Sequence, residues 1–166
     1  MWSARLVWLG VAVTKGKTVR EMKSLRQAML SAGWIAVDSK TNPRAYADTS
    51  GKRFGTLEKE GVRIALSIGE ELVSERGAAM VYMTDDPSDA ILQALIVDFE
   101  VRGKGLAKRA LNEIALHANA TGTTIYLEPV PIEDKPVDTN ALKKLYSKFA
   151  FSSKNPGDAV MVRRPE

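Results

Sequence analysis

A single α/β domain built on a mixed sheet is what this chain predicts, and three observations predict it. Its 166 residues suit one domain, spanning 1–166, and 45% hydrophobic with 27% charged residues is an ordinary globular composition. Apolar runs of strand length are separated by clusters of Gly, Pro, Asp and Ser. In the second half these runs alternate with helix-period segments, in the order strand–helix–strand–helix–strand.

The elements follow in order. Arg5 to Val13 reads as a first strand. Its apolar part, Leu6 to Val13, is far too short to span a bilayer and lacks a small-x-small cleavage site, so no membrane role and a cytoplasmic location are expected. Thr18-Val19-Arg20-Glu21 fits a capping box; Val19, Met22, Leu25, Met29 and Leu30 then follow at helical spacing, and Gly33 ends the segment. The other face of that helix carries Arg20, Lys23 and Arg26 as a solvated basic surface. Residues 38–61 are polar and turn-rich, with a short strand around Phe54 to Leu57. Val62, Ile64, Leu66 and Ile68 alternate with Arg63, Ala65 and Ser67, the pattern of a half-buried strand. Ala78 to Met83 reads as another strand, and Asp85 to Ser88 as a turn. Ala90 to Val97 is a nearly continuous apolar run, as a central strand requires. Leu106, Ala110, Leu111, Ile114 and Ala118 form a helical stripe stopped by Gly122, and Thr123 to Leu127 is a short strand. After a proline-bearing loop, Asp138 or Thr139 caps a helix with Leu142, Leu145 and Phe149 inward, and Ala159 to Val162 is the last strand.

Composition narrows the chemistry. With no cysteine, disulfides, thiolate metal sites and a cysteine nucleophile are excluded, and a single histidine, His117, excludes a multi-histidine metal site. Net charge is +4, concentrated at the start: residues 1–60 hold eleven Lys/Arg against five Asp/Glu. Such asymmetry suits an acidic partner such as nucleic acid, but no aromatic-interleaved basic motif accompanies it. A solvated helix face plus attraction for a phosphate-bearing cofactor explains it more simply.

The junction Arg102-Gly103-Lys104-Gly105-Leu106-Ala107 joins the central strand to a helix. Two glycines let the backbone approach a ligand, and the first helical turn leaves N–H groups unpaired at the positive end of the dipole. That arrangement favours a phosphate or pyrophosphate, with Arg102, Lys104 and Lys108 adding charge. Lys108 holds the position of the third glycine of a dinucleotide fingerprint, and the P-loop spacing is absent.

The whole string from Leu95 to Leu111, LIVDFEVRGKGLAKRAL, resembles the central motif of the GNAT acetyltransferases, with Arg102, Gly105 and Ala107 at its signature positions. Leu145 to Phe151, LYSKFAF, looks like the family's late L-Y-x-K-x-G-F motif, with Ala150 where glycine is usual. The resemblance covers roughly residues 90–162. It implies a GNAT-type mixed, mostly antiparallel sheet flanked by helices, and acetyl-coenzyme A as cofactor. It further implies a pyrophosphate held by the N–H groups of Gly103, Lys104, Gly105, Leu106 and Ala107, a pantetheine arm along Ile96 and Val97, and direct attack of an amine on the thioester. Tyr146 would be the general acid, holding its proton at neutral pH. Glu128, just past a strand end, would accept the amine's proton directly or through water. Two departures stand: Asn140 lies one residue late for the family's asparagine, and Ile91 to Val97 holds no carboxylate, only Gln93.

Two readings compete with this enzyme. One is a non-catalytic coenzyme A-binding or protein-interaction module. The other keeps the chemistry but places the amine on a nucleic acid rather than on a small molecule or protein. Trp2, Trp8 and Trp34 suit either a core or a homodimer face.

Overall fold

A computed structural model describes residues 24–68, 89–131 and 138–166. The strand at 5–13, the capping box at 18–21, Lys23, the strand at 78–83 and the turn at 85–88 lie outside these residues.

Elements are numbered along the described residues. The first is helix α1, Leu25–Ser31. Ser24 is its N-cap, extended at φ −63° and ψ 154°, and forms a capping box with Gln27. The expected continuous helix from Val19 to Leu30 is therefore corrected, because Ser24 competes with the helix for its own backbone. Arg26 is corrected as well. Its guanidinium donates to the Leu66 carbonyl and lies against Gly55, so it is tied to the sheet and is not part of a solvated face.

Among the described residues the sheet has six strands, in the order β1 (Ile35–Val37), β2 (Thr56–Lys59), β3 (Val62–Ile68), β4 (Ala90–Val97), β5 (Ile125–Leu127), β6 (Met161–Arg163). All pairs are antiparallel except β4 with β5. That parallel pair needs a crossover, and helix α2, Leu106–Thr121, supplies it. Helix α3, Thr139–Ser147, joins β5 to β6, capped by the Asp138 side chain accepting from the Asn140 N–H. The mixed, mostly antiparallel sheet is the expected one.

The main core lies where Leu25 and Met29 of α1 and Ala110, Leu111, Ile114 and Ala118 of α2 meet Leu57, Ile64, Leu66, Leu92 and Ile125 of the sheet. Leu145 and Tyr146 of α3 pack at its margin, as does Phe149, which lies in the turn past the helix end rather than on the helix as expected. Trp34 belongs to this core, its indole N–H donating to Glu113 at 2.9 Å. The half-buried reading of β3 is corrected: Ala65 and Ser67, on its other face, are buried too. Phe54 and Tyr46 fold over that face and pack with Ala65, Ala94 and Ile96. The turn-rich composition of 38–54 concealed this second layer.

Each described α-helix ends in the same left-handed turn. After α1, Gly33 donates to Leu30 and Trp34 to Met29; after α2, Gly122 donates to Asn119 and Thr123 to Ala118. After α3, Ala150 donates to Ser147 and Phe151 to Tyr146, with the Phe151 ring edge-on to Tyr146 at 5.7 Å. Here alanine sits at φ 65°, where its Cβ is strained. Ala150→Gly is expected to stabilise the protein by about 1 kcal/mol. A thermal melt would then rise by roughly 2–4 °C; a lower melting temperature would contradict the cap geometry.

Candidate functional site

The site begins with an irregularity in β4. Pairing with β3 runs Ala65↔Ala94 and then Leu66↔Leu92, which leaves Gln93 as an extra residue. The bulge switches the side-chain parity: Ala90 and Leu92 face the main core before it, Leu95 and Val97 after it. On the other side, β4 pairs with β5 only at Ala90 and Ile91, and β5 ends at Leu127. The strands then part, and the last residues of β4 have no strand on that side among the described residues.

The Asp98 N–H donates to the Gly61 carbonyl at 2.8 Å, so Asp98 faces β3. Alternation turns the backbone groups of Ile96 toward β3 and those of Leu95 and Val97 toward the gap. The Val97 carbonyl agrees, since it accepts from Arg102 Nε at 3.0 Å.

A cleft of about 500 Å³ fills the gap. Its walls are Leu95, Ile96 and Val97 from β4, Val130 and Pro131 after β5, and Leu142, Leu145 and Tyr146 from α3. Its end is closed by Arg102, Gly103, Gly105, Leu106, Ala107 and Lys108. Gly105 is the N-cap of α2 at φ 74°, and Gly103 has φ 79°. Side chains rarely adopt such angles, and a Cβ at either position would meet nothing within 4 Å, so the space beside this backbone is open. No acidic residue occupies the first turn of α2, leaving its N–H groups free for an anion.

Most residues expected at the site are thus brought together: Ile96, Val97, Arg102, Gly103, Gly105, Leu106, Ala107 and Tyr146 all line one cleft. Lys104 is exposed and stands outside the lining. Glu128 is exposed as well, past the end of β5, and its carbonyl accepts from Val130 at 2.8 Å. Arg102 lies over the Phe99 ring at 5.6 Å in addition to its bond to Val97. Its charge is therefore held at the rim. Tyr146 projects from α3 into the cleft, and burial raises its phenol above the ordinary value. Asn140 and His117 are outside the lining; the His117 carbonyl accepts from the Thr121 hydroxyl. Among the described residues no group of three or more His, Cys, Asp or Glu could hold a metal, and no helix is long and apolar enough to cross a membrane.

Sequence reading missed Leu95, Val130, Pro131, Leu142 and Leu145 as lining residues. Leu142 and Leu145 were legible only as a helix stripe, because an apolar stripe looks the same against a core and along a cleft.

No protein-family model matches the sequence, and none of the curated proteins compared with it does. Among solved structures, the chain is similar to AtaTR bound with AcCoA, at 12% identity over 67% of this chain and 64% of that one, with a TM-score of 0.39. It is similar to YhbS of Escherichia coli, a GNAT family N-acetyltransferase in complex with CoA, at 19% identity over 84% of this chain and 64% of that one, with a TM-score of 0.36. A Corynebacterium glutamicum protein described as histone acetyltransferase HPA2 and related acetyltransferase gives 17% identity, 98% and 91% coverage and a TM-score of 0.43. The match spans less than two thirds of the length of the first two.

Proposed function

We propose that the chain is an N-acetyltransferase of the GNAT type, using acetyl-coenzyme A and a primary amine. The observation that carries this reading is the cleft itself: a parted β4–β5 pair whose end is an unblocked helix N-terminus and whose wall presents Tyr146.

The donor set fits a pyrophosphate, since the N–H groups from Gly103 to Ala107 and the Lys108 ammonium surround open space. The backbone groups of Leu95 and the Val97 N–H, turned toward the gap, suit the amides of a pantetheine arm, as strand pairing would. A backbone N–H there also polarises the thioester carbonyl. The amine nitrogen bonds to the carbonyl carbon, the C–S bond breaks, and the proton of Tyr146 passes to the departing sulfur. The surplus proton of the amine leaves to water. Glu128, exposed beyond the cleft lining, would act in this reading only through that water. Nothing described favours a nucleic-acid acceptor: of the three basic residues first assigned to a solvated face, Arg26 is a structural tie.

The test is a calorimetric titration with acetyl-coenzyme A, followed by thiol release over a panel of amines. Micromolar binding with amine-dependent thiol release is expected. Binding without release would replace the enzyme with a coenzyme A-binding module, and no binding to the folded protein would sink both.

A further inference from the structure

The phosphate-binding turn is braced from behind by residues far away in sequence. Asp98 occupies the N-cap position of the short 3-10 turn Phe99–Val101 that leads into Arg102 and Gly103, yet its carboxylate makes no capping bond. It is held instead by Arg44, whose Nη2 lies 2.8 Å from Oδ2, while Arg63 Nε lies 3.5 Å from Oδ1. The second contact is an ion pair too long to count as a hydrogen bond. Arg44 also binds Glu58 of β2 at 2.7 Å, and its carbonyl accepts from Arg63 Nη1 at 2.9 Å. Behind the same turn stands the β2–β3 hairpin. Its Gly61 accepts from the Asp98 N–H, and a Cβ on Gly61 would lie 2.7 Å from Val101 Cγ2.

Two cations and two carboxylates balance, so the cluster has no spare charge for a phosphate. Its members are all partly exposed, so such pairs contribute little net stability. What the cluster supplies is geometry. We propose that Arg44 and Asp98 are positioning residues that fix the turn on which the coenzyme's pyrophosphate rests. This rests on the acetyl-coenzyme A reading of the cleft. Neither side chain is part of the cleft lining, so the effect must pass through the turn.

Arg44→Met tests it, with S-acetylpantetheine as the second acyl donor because that thioester has no pyrophosphate. Thr121→Val, which removes buried hydroxyl bonds at the far end of α2, serves as a stability control. Arg44→Met is expected to weaken acetyl-coenzyme A about tenfold in Kd and KM, with kcat retained and kcat/KM for S-acetylpantetheine unchanged. Thr121→Val should leave all of these at the native values. Adding Asp98→Asn to Arg44→Met should cost little more than either change alone, as members of one unit do. Should Arg44→Met not fold, Arg44→Lys carries the same expectation, since a single ammonium cannot bridge both carboxylates. Equal losses with both donors, or native affinity in the Arg44 variant, would overturn the proposal while leaving the cofactor site intact. Failure of the unaltered protein to bind acetyl-coenzyme A would overturn the cleft reading and this inference with it.

Discussion

Replacing Gly105 with glutamate is expected to weaken acetyl-coenzyme A binding by at least about a hundredfold, while Gly105→Ala costs only a small part of that. The two variants separate the two things glycine does here. Both introduce a Cβ at φ 74°, which strains the backbone by about 1–2 kcal/mol. Neither Cβ meets a neighbour, so the fold survives each change. Only glutamate places a carboxylate beside the unpaired N–H groups of α2. There it satisfies the donors itself and repels the pyrophosphate, occupying the anion site from within the protein. Calorimetry of both variants beside the native protein decides the matter. If Gly105→Glu and Gly105→Ala lose affinity equally, backbone strain alone is responsible and the anion site is not where the geometry puts it. If neither loses affinity, the cleft does not bind the cofactor through this helix end.

How much of this was legible beforehand depended on the range of the interactions involved. Local chemistry read well. Ala90–Val97, the stop at Gly122 and a cap at Asp138 or Thr139, which the structure assigns to Asp138, were all fixed by neighbours within a turn or a strand. The phosphate cradle was equally local, since glycines, strand end and helix start are contiguous. The Ser24–Gln27 capping box was the local exception; the other failures came where distant segments meet. Ala65 reads as a solvent position in β3 until Tyr46 and Phe54 are seen to fold over that face, and Arg26 reads as a surface charge until it reaches Leu66. The Gln93 bulge was invisible because an apolar run carries no parity to break. Arg44 and Asp98 are 54 residues apart, and nothing in a turn-rich stretch marks one arginine as the brace of a distant helix junction. Ala150 is a different case: the sequence showed the departure from glycine, but only φ shows that the position is still left-handed and that the alanine is strained.

Tyr146→Phe is the variant with the second large effect: kcat should fall by about a hundredfold or more, with acetyl-coenzyme A affinity nearly unchanged. Phenylalanine keeps the edge-on packing against Phe151 and the wall of the cleft, and removes only the hydroxyl. The pH profile adds a check whose sign follows from the environment. Burial penalises the phenolate, so the folded-state value lies above the ordinary one near 10. The acid therefore stays protonated throughout the range in which the amine becomes neutral, and kcat should not fall on the alkaline side until pH passes about 10. Stability obeys the same sign: the contribution of Tyr146 is fully present below about pH 10 and is lost only as pH rises through the raised folded value. The titration of Tyr146 therefore adds no loss of stability at lower pH. In Tyr146→Phe, the alkaline fall assigned to this proton should disappear along with most of the rate. A variant that keeps native kcat and the native profile would show that the departing thiolate takes its proton elsewhere. Tyr146 would then be a wall residue, and the cleft would need another acid, which its described lining offers only in the Lys108 ammonium at the cradle.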